Sequence, residues 1–247
     1  MSNRAQSVGA IVFAILMVTA LFAGTVTVSA QTATPFASGS GTAEDPYVIT
    51  DASQLQNMST DLDAAYKLGN DIDASGIANF DPIGDSYPNW FNGTFDGANY
   101  TISDLTVDRP NEDDVGLFGN TSQTATVKNV TLNDVNITGN KKVGGLVGEF
   151  NGDEIVNASA SGQVSGTSTV GGLIGHYAGS GNVTDSSAAG DVVASHRTAG
   201  GLVGDLSSGA IVNSYATSDV NVTGKSGNTN DGFIAGGLVG ELNGSVT

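Results

Sequence analysis

The sequence predicts an all-β protein folded as a parallel β-helix with about 28 residues in each coil. A phrase rich in glycine and leucine recurs five times: GLFG at 116–119, GGLVG at 144–148, GGLIG at 171–175, and GGLVG at 200–204 and 236–240. Apolar positions also recur at a constant step along the chain, at Val127, Ile155, Val183 and Ile211. The segments between glycines are short and rich in Val, Ile and Thr, which is typical of strands. A period of this length fits one solenoid coil of three short strands.

The recurring phrase predicts an interior ladder of leucines. Equivalent positions of successive coils stack about 4.8 Å apart, so one leucine from each phrase should lie above the next. The glycines before the leucines should allow sharp bends where a Cβ would collide with the neighbouring coil. The predicted ladder leucines are Leu117, Leu146, Leu173, Leu202 and Leu238, and the predicted glycines are Gly145, Gly172, Gly201 and Gly237.

A second set of polar positions keeps the same constant step: Asn129, Asn157, Asp185 and Asn213. Asparagine amides can hydrogen-bond from one coil to the next. We therefore expect an inward-facing amide ladder at these positions. The step from Ile211 to Val246 is longer than the others, which predicts a seven-residue insertion within 221–234.

Residues 41–114 are expected to form the N-terminal cap and the first coils, because an open β-helix end exposes unpaired backbone. Asp51 is a candidate N-cap for a short helix, with Gln54 reaching back to it. The apolar edge of this helix would be Leu55, Met58 and Leu62. Residues 115–247 are expected to form the repeat β-helix, incomplete at its C-terminus.

Residues 1–30 have the layout of a secretory signal peptide. Arg4 precedes an uncharged, mostly apolar run that ends near Ala30, where cleavage is predicted, and 31–40 would be a linker. An uncut run of this length could also anchor the chain in a bilayer. In either case the rest of the chain leaves the cytoplasm, and we expect an extracellular or cell-surface location with no membrane span after cleavage.

Composition indicates a strongly acidic exported protein. Asp and Glu number 25 against 8 Lys and Arg, which gives a net charge of −17 and excludes nucleic acid as a partner. Such a surface repels itself in dilute buffer but is screened at molar salt, so the bias indicates a halophile. Cysteine is absent, so disulfides cannot hold the fold.

The five phrases match the GLUG repeat, a family found in large surface-exposed and adhesin-like proteins of prokaryotes. The resemblance covers 115–247 and implies a right-handed β-helix at the cell surface without implying one activity. Some members are attached to immunoglobulin A zinc peptidases, but this sequence has no HExxH motif. Residues 1–30 resemble the signal peptides of haloarchaeal surface glycoproteins.

Ten Asn-X-Ser/Thr sequons follow the signal segment, more than composition alone would give. The glycosylation candidates are Asn57, Asn92, Asn99, Asn120, Asn136, Asn182, Asn221 and Asn243. Asn129 and Asn157 also start sequons, but their place in the amide ladder makes them weaker candidates.

The stretch DIDASG, from Asp71 to Gly76, begins like a calcium-binding loop with acids at its first and third positions, Asp71 and Asp73. The twelfth position is Pro82, so the bidentate acid is absent. A strand followed by a turn is the favoured interpretation, with weak calcium binding as the alternative.

The residue after each phrase forms a polar column: Asn120, Glu149, His176, Asp205 and Glu241. Glu149, His176 and Asp205 are the residue types of a metal or acid/base site, and neighbouring coils would bring them close. A solvated turn is the favoured interpretation, and replacing all three should then change stability by less than about 1 kcal/mol.

Together these features predict a secreted or cell-surface structural or adhesive β-helix glycoprotein of a halophilic archaeon, without catalysis, metal or cofactor. Its partners would be cell-surface glycans or other surface proteins. A carbohydrate-active β-helix enzyme is the first alternative, since such enzymes cluster carboxylates beside aromatic platforms. A spacer for a further C-terminal domain is the second.

Overall fold

The computed structural model of the chain describes residues 35–85, 88–224 and 233–247. The predicted signal peptide and residues 31–34 of the linker lie outside the described residues, as does most of the predicted insertion. Among the described residues, no helix has the length and apolar character needed to cross a membrane.

In its described residues, the region before the repeats contains six short strands and one helix. Its strands are β1 (Tyr47–Ile49), β2 (Ala65–Leu68), β3 (Ile72–Asp73), β4 (Thr94–Asp96), β5 (Thr101–Ser103) and β6 (Thr106–Asp108). Helix α1 (Ala52–Gln56) continues into a 3₁₀ turn at Asn57–Thr60. These strands join the same sheet as the repeat strand at Thr126–Thr138, so the first coils begin in this region.

The described part of the repeat region contains sixteen strands. They are β7 (Phe118–Asn120), β8 (Thr126–Thr138), β9 (Lys141–Gly144), β10 (Val147–Phe150), β11 (Glu154–Gly166), β12 (Ser168–Gly171), β13 (Ile174–Tyr177), β14 (Asn182–Thr184), β15 (Ser187–Ala194), β16 (Thr198–Gly200), β17 (Val203–Leu206), β18 (Ala210–Val212), β19 (Tyr215–Val222), β20 (Ile234–Gly236), β21 (Val239–Leu242) and β22 (Ser245–Val246).

These strands stack in three parallel sheets, and the predicted solenoid is confirmed with about six turns of roughly 28 residues. One sheet runs β1-β2-β4-β8-β11-β14-β18-β22, a second runs β7-β10-β13-β17-β21, and a third runs β9-β12-β16-β20. The period of the sequence corresponds to the pairing register of the strands, because Val127 pairs with Ile155, Ile155 with Val183, and Val183 with Ile211.

Helix α1 begins where the sequence predicts. The Asp51 carboxylate accepts a hydrogen bond from the Gln54 backbone N–H at 2.8 Å. Gln54 does reach back, but its Oε1 accepts from the Thr50 N–H at 2.8 Å rather than from the cap residue. Leu55 and Met58 are fully buried in the common core, so the helix is attached through its apolar edge.

The leucine of each phrase points inward. Leu117, Leu146, Leu173 and Leu202 have no exposed surface, and Leu238 in the last coil is partly buried. The glycines lie where backbones touch: a Cβ on Gly172 would lie 2.3 Å from the Gly201 carbonyl oxygen. The corresponding distance to the next coil is 2.6 Å at Gly145 and 2.0 Å at Gly201. The glycines of this ladder therefore allow close coil stacking.

One detail of this prediction is wrong. Gly237 is not close-packed, because a Cβ there would meet no atom within 4 Å of the described structure. The ladder glycines lie outside the left-handed backbone region, which is used by other glycines such as Gly162 and Gly190. Their role is to let neighbouring backbones approach, since they do not adopt a conformation reserved for glycine.

Two buried tyrosines differ in whether their hydroxyl groups are hydrogen-bonded, and the effect of this difference on stability can be tested. The Tyr66 hydroxyl donates to the Asp61 carbonyl at 2.6 Å, whereas the buried Tyr177 hydroxyl has no hydrogen-bond partner among the described residues. Burial raises the pKa of both phenols. Because an unsatisfied buried hydroxyl costs about 1–3 kcal/mol, Tyr177→Phe should raise the free energy of unfolding by about 1 kcal/mol. Tyr66→Phe should lower it by a similar amount.

Equilibrium denaturation of both variants measures this difference. Equal destabilisation by Tyr177→Phe and Tyr66→Phe would contradict the assignment of an unsatisfied hydroxyl to Tyr177.

Candidate functional site: the polar column

The polar column lies on strands, so the prediction of a turn is wrong. Asn120, Glu149, His176, Asp205 and Glu241 occupy equivalent positions on β7, β10, β13, β17 and β21, and each pairs in register with the next. The side chains of Glu149, His176 and Asp205 are only 16%, 18% and 23% exposed. The column is thus a half-buried feature of one sheet.

Glu149 is the centre of the column. Its Oε2 accepts hydrogen bonds from Lys142 Nζ at 2.6 Å and from Asn120 Nδ2 at 3.0 Å. Its Oε1 lies 3.2 Å from His176 Nδ1. Lys142 also lies 3.5 Å from Asp114 Oδ1, which brings a second carboxylate to the same ammonium group. Glu149 therefore binds side chains from the coil on each side.

The contacts continue past His176. Its Nε2 lies 3.0 Å from Ser207 Oγ and 4.0 Å from Asp205 Oδ2, and the Ser207 hydroxyl donates to Asp205 Oδ1 at 3.2 Å. On the other side, Asn151 Nδ2 donates to Asn120 Oδ1 at 3.0 Å. The network crosses four coils and joins each to the next.

Electrostatics favour the charged forms of Glu149 and Lys142 but oppose the charged form of Asp114. The hydrogen bond with His176, helped by Lys142, lowers the pKa of Glu149 to about 2, against the opposing effect of burial. Burial opposes the charge on Lys142, but its bonds to Glu149 and Asp114 outweigh burial and raise the Lys142 pKa. Burial raises the pKa of Asp114 although Lys142 opposes the rise.

These pKa shifts determine which chemistry the column can perform. A carboxylate with a pKa near 2 is a poor general base at neutral pH, and a lysine that keeps its proton is not a nucleophile. Within the described ranges, no group of three His, Asp or Glu side chains is arranged to hold a metal ion. The arrangement is suited to joining coils by charge-assisted hydrogen bonds.

Sequence reasoning missed Lys142 and Asp114, which complete this network. Neither residue belongs to the glycine phrase or to the periodic ladders. The available signal was charge: Lys142 is one of only 8 basic residues, and it stands on the strand just before Glu149. A rare lysine next to the polar column was a candidate partner for its acids.

The candidate sequons differ in accessibility. Asn120 is only 4% exposed and its amide is bound by Glu149, so a sugar there is incompatible with the folded chain, and this candidate is withdrawn. Asn57 is half-buried in the 3₁₀ turn. The other candidates are exposed: Asn92, Asn99, Asn136, Asn182, Asn221 and Asn243.

The asparagine ladder joins coils, but its later members face outward instead of inward. Asn157 is exposed, and its Nδ2 donates to Asn129 Oδ1 at 3.0 Å and to Asn99 Oδ1 at 3.1 Å. Asn129, Asn157, Asp185 and Asn213 all have φ between 51° and 54°. Asn and Asp tolerate this left-handed conformation better than most residues, which explains why they recur.

Asp71 and Asp73 each accept a hydrogen bond from a backbone N–H group. Asp71 Oδ1 accepts from the Thr101 N–H at 2.8 Å, and Asp73 Oδ1 accepts from the Ser75 N–H at 2.9 Å. Hydrogen bonds from Ser75 lower the pKa of Asp73. The chain leaves β3 at Asp73 and turns, as the strand-and-turn interpretation predicts.

Two family models match this chain. The model described as the N-terminal region of M26 IgA1-specific metallo-endopeptidases matches residues 43–162. The GLUG motif model matches residues 166–193. The first match covers much of the region before and into the repeats, and the sequence contains no HExxH motif.

Two similar proteins are much longer than the matched segment. Halomucin from Haloquadratum walsbyi is 38% identical over 157 residues, which is 60% of this chain and 2% of halomucin. A Gly-rich membrane protein from Evansella cellulosilytica is 36% identical over 110 residues, which is 42% of this chain and 13% of that protein. The chain therefore spans a small fraction of the length of both relatives.

A solved structure has the same fold. It is a crystal structure at 1.30 Å resolution of a protein assigned as an immunoglobulin A1 protease from Bacteroides ovatus, with a TM-score of 0.65 and 24% identity. The match covers 86% of this chain and 76% of that chain. The GLUG motif predicted from the glycine phrases is confirmed at residues 166–193, and the chain folds as a β-solenoid.

Proposed function

We propose that this chain is a structural and adhesive β-solenoid segment of an exported, cell-surface protein and that it does not catalyse a reaction. The observation that carries this proposal is the use of the column side chains. Glu149 binds Lys142 of its own coil at 2.6 Å and His176 of the next coil at 3.2 Å, so the chemistry-bearing groups are engaged in holding the solenoid together. Similarity to halomucin and to a Gly-rich membrane protein supports the cell-surface location.

The acidic surface supports a halophilic origin within this proposal. With 25 acidic and 8 basic residues, self-repulsion destabilises the fold in dilute buffer and is screened at high salt. The thermal midpoint should therefore be higher in about 3 M chloride than in about 0.1 M chloride. Equal midpoints would remove the halophilic part of the proposal.

N-glycosylation is also part of the proposal, and the exposed sequons such as Asn136, Asn182 and Asn221 are its best candidates. Their side chains lie on the outer surface, where a bulky sugar does not disturb the core. Mass spectrometry of native material should find glycan on these sites before Asn120. Full occupancy at Asn120 would contradict the assignment.

Protease treatment of intact source cells in their growth salt tests the location. Peptides from 35–247 should be released from unbroken cells, together with peptides of known surface proteins and without cytoplasmic markers. Recovery of these peptides only after lysis would contradict the surface proposal. In parallel, purified protein should cleave none of a panel of polysaccharides. Cleavage that Glu149→Gln abolishes would instead favour a carbohydrate-active enzyme.

A second candidate function is a non-catalytic spacer for another domain, which the match of residues 43–162 to an endopeptidase N-terminal region favours. In that case the complete gene product should cleave IgA1 or a similar protein substrate, and the purified solenoid should not. Failure of the complete product to cleave such substrates would remove this candidate.

A further inference from the structure

Trp90 lines an open groove of about 510 Å³ that runs across successive coils of the solenoid. The other lining residues are Asn92, Ser122, Gln123, Thr124 and Asn151. Neighbouring coils meet here, because Phe91 forms a parallel bridge to Thr121, and the Asn151 N–H donates to Thr121 Oγ1 at 3.0 Å. The volume is within the range of small-molecule sites.

The aromatic side chain in this groove is unusual for the molecule. Trp90 is the only tryptophan of the chain, and it is half-buried at the surface. The nearby aromatic side chains of Tyr66, Phe91 and Phe118 are instead packed into the core with at most 1% exposure. The indole therefore contributes to the groove wall.

The described lining of the groove is uncharged although the protein is strongly acidic. All six lining residues that the structure describes lack an ionisable side chain, whereas the whole chain carries a net charge of −17. The surrounding field disfavours an anionic ligand, and the lining offers no cation to bind one. A neutral ligand fits this setting.

The polar groups of the groove are held in place by their neighbours. Asn92 Nδ2 donates to Asp63 Oδ1 at 2.9 Å, and Asn92 Oδ1 accepts from the hydroxyls of Ser122 and Thr124. Asn151 Nδ2 donates to Asn120 Oδ1 and to the Thr121 carbonyl at 3.0 and 3.1 Å. Ordering the lining before a ligand arrives reduces the entropy cost of binding.

Two lining groups retain hydrogen-bonding capacity. Asn151 Oδ1 and the Gln123 side-chain amide have no hydrogen-bond partner within 35–85, 88–224 and 233–247. An amide donates through its NH₂ group and accepts through its oxygen, so it can bind a hydroxyl group that acts as either acceptor or donor. The groove thus presents an aromatic surface next to neutral donors and acceptors.

We propose that this groove binds a neutral saccharide, with one sugar ring against the Trp90 indole and its hydroxyls on the Gln123 amide and Asn151 Oδ1. A sugar ring has an apolar C–H face and a rim of hydroxyls, which is the complement of this lining. The proposal gives the adhesive role a ligand class and rests on the proposed function for its biological meaning. The saccharide can belong to another molecule or to a glycan of this chain, since Asn92 itself starts a sequon.

Fluorescence titration of the full chain, produced without glycosylation, tests the proposal because Trp90 is its only tryptophan. The probes are neutral gluco-, manno- and chito-oligosaccharides, with oligogalacturonate as the anionic comparison. At least one neutral probe should give a saturable emission change with a dissociation constant on the order of 1 mM, typical of a small open site. Oligogalacturonate should bind at least about tenfold more weakly.

Variants measured by calorimetry locate the site. Trp90→Ala should weaken binding by at least about tenfold, and Gln123→Ala by about threefold. Tyr215→Ala is the matched control, because Tyr215 is an aromatic residue 62% exposed on β19, away from the groove, and it should leave binding unchanged. Circular dichroism confirms that each variant is folded.

The proposal is overturned if no neutral probe perturbs Trp90, if folded Trp90→Ala binds like the wild type, or if oligogalacturonate binds equally well. Acrylamide quenching of native glycosylated material separates the two sources of saccharide. If acrylamide quenches Trp90 less in the glycosylated material than in the unglycosylated chain, the groove is assigned to the chain's own glycan. If quenching is equal in the two, the groove is assigned to a saccharide of another molecule. Protease treatment of cells tests location alone, so the surface proposal and this one can fail separately.

Discussion

Gly172→Ala is expected to destabilise the solenoid by about 3 kcal/mol or more. The added methyl group would lie 2.3 Å from the Gly201 carbonyl oxygen and 2.8 Å from the Ala188 Cβ. Both are atoms of rigid coils, one of them backbone, so relief requires coils to separate and lose hydrogen bonds along the sheets. Denaturant unfolding followed by circular dichroism measures the loss.

Gly237→Ala is the matched control for this prediction. Gly237 occupies the same position of the fifth phrase, but its added Cβ meets no atom within 4 Å of the described structure. Alanine also restricts the unfolded chain more than glycine does, so Gly237→Ala should be neutral or stabilising by up to about 1 kcal/mol. If Gly172→Ala cost no more than Gly237→Ala, the phrase would not act through close coil stacking.

Glu149→Gln is expected to lower the free energy of unfolding by roughly 3 kcal/mol at neutral pH and by little near pH 2. The folded environment lowers the Glu149 pKa from 4.5 to about 2, mainly through His176 and Lys142. Because the folded pKa is lowered, this contribution is complete above the unfolded pKa of 4.5 and is lost as pH falls toward 2. The wild type should lose more stability than the variant across that window.

The pKa of Asp114 is shifted in the opposite direction to that of Glu149, so the pH dependence of stability distinguishes the two acids. Burial raises its folded pKa, so its charge costs stability at neutral pH and the cost falls on acidification. Glu241→Gln is the control for Glu149→Gln, since Glu241 occupies the last position of the same column. Parallel pH–stability curves for the wild type and Glu149→Gln would contradict the assigned pKa.

The period of the sequence was sufficient to predict the coil register. Val127, Ile155, Val183 and Ile211 are buried and pair in order, because each coil places one inward position above the next. The phrases themselves are spaced less evenly, since the step from Glu149 to His176 is shorter than the step from His176 to Asp205. Bends between strands absorb these differences, so the column stays in register.

The environment of the column could not be predicted in the same way. Asn120 contacts Asp114 and Glu149 contacts Lys142, and the fold brings these partners together from different strands and loops. A sequence repeat identifies the residues that occupy equivalent positions in successive coils. It does not identify the side chains that contact them from the adjoining bend. The residues predicted to form a turn therefore form a partly buried strand, and Asn120, a predicted glycosylation candidate, is buried.

A double-mutant cycle between Glu149 and His176 tests the central claim most directly, namely that the column joins neighbouring coils. The two residues lie on adjacent strands, with Glu149 Oε1 3.2 Å from His176 Nδ1. The unfolding free energies of Glu149→Gln, His176→Asn and the double variant should give a coupling energy of at least about 1 kcal/mol. A coupling energy near zero in variants that remain folded would contradict the claim and leave the column free for a chemical role.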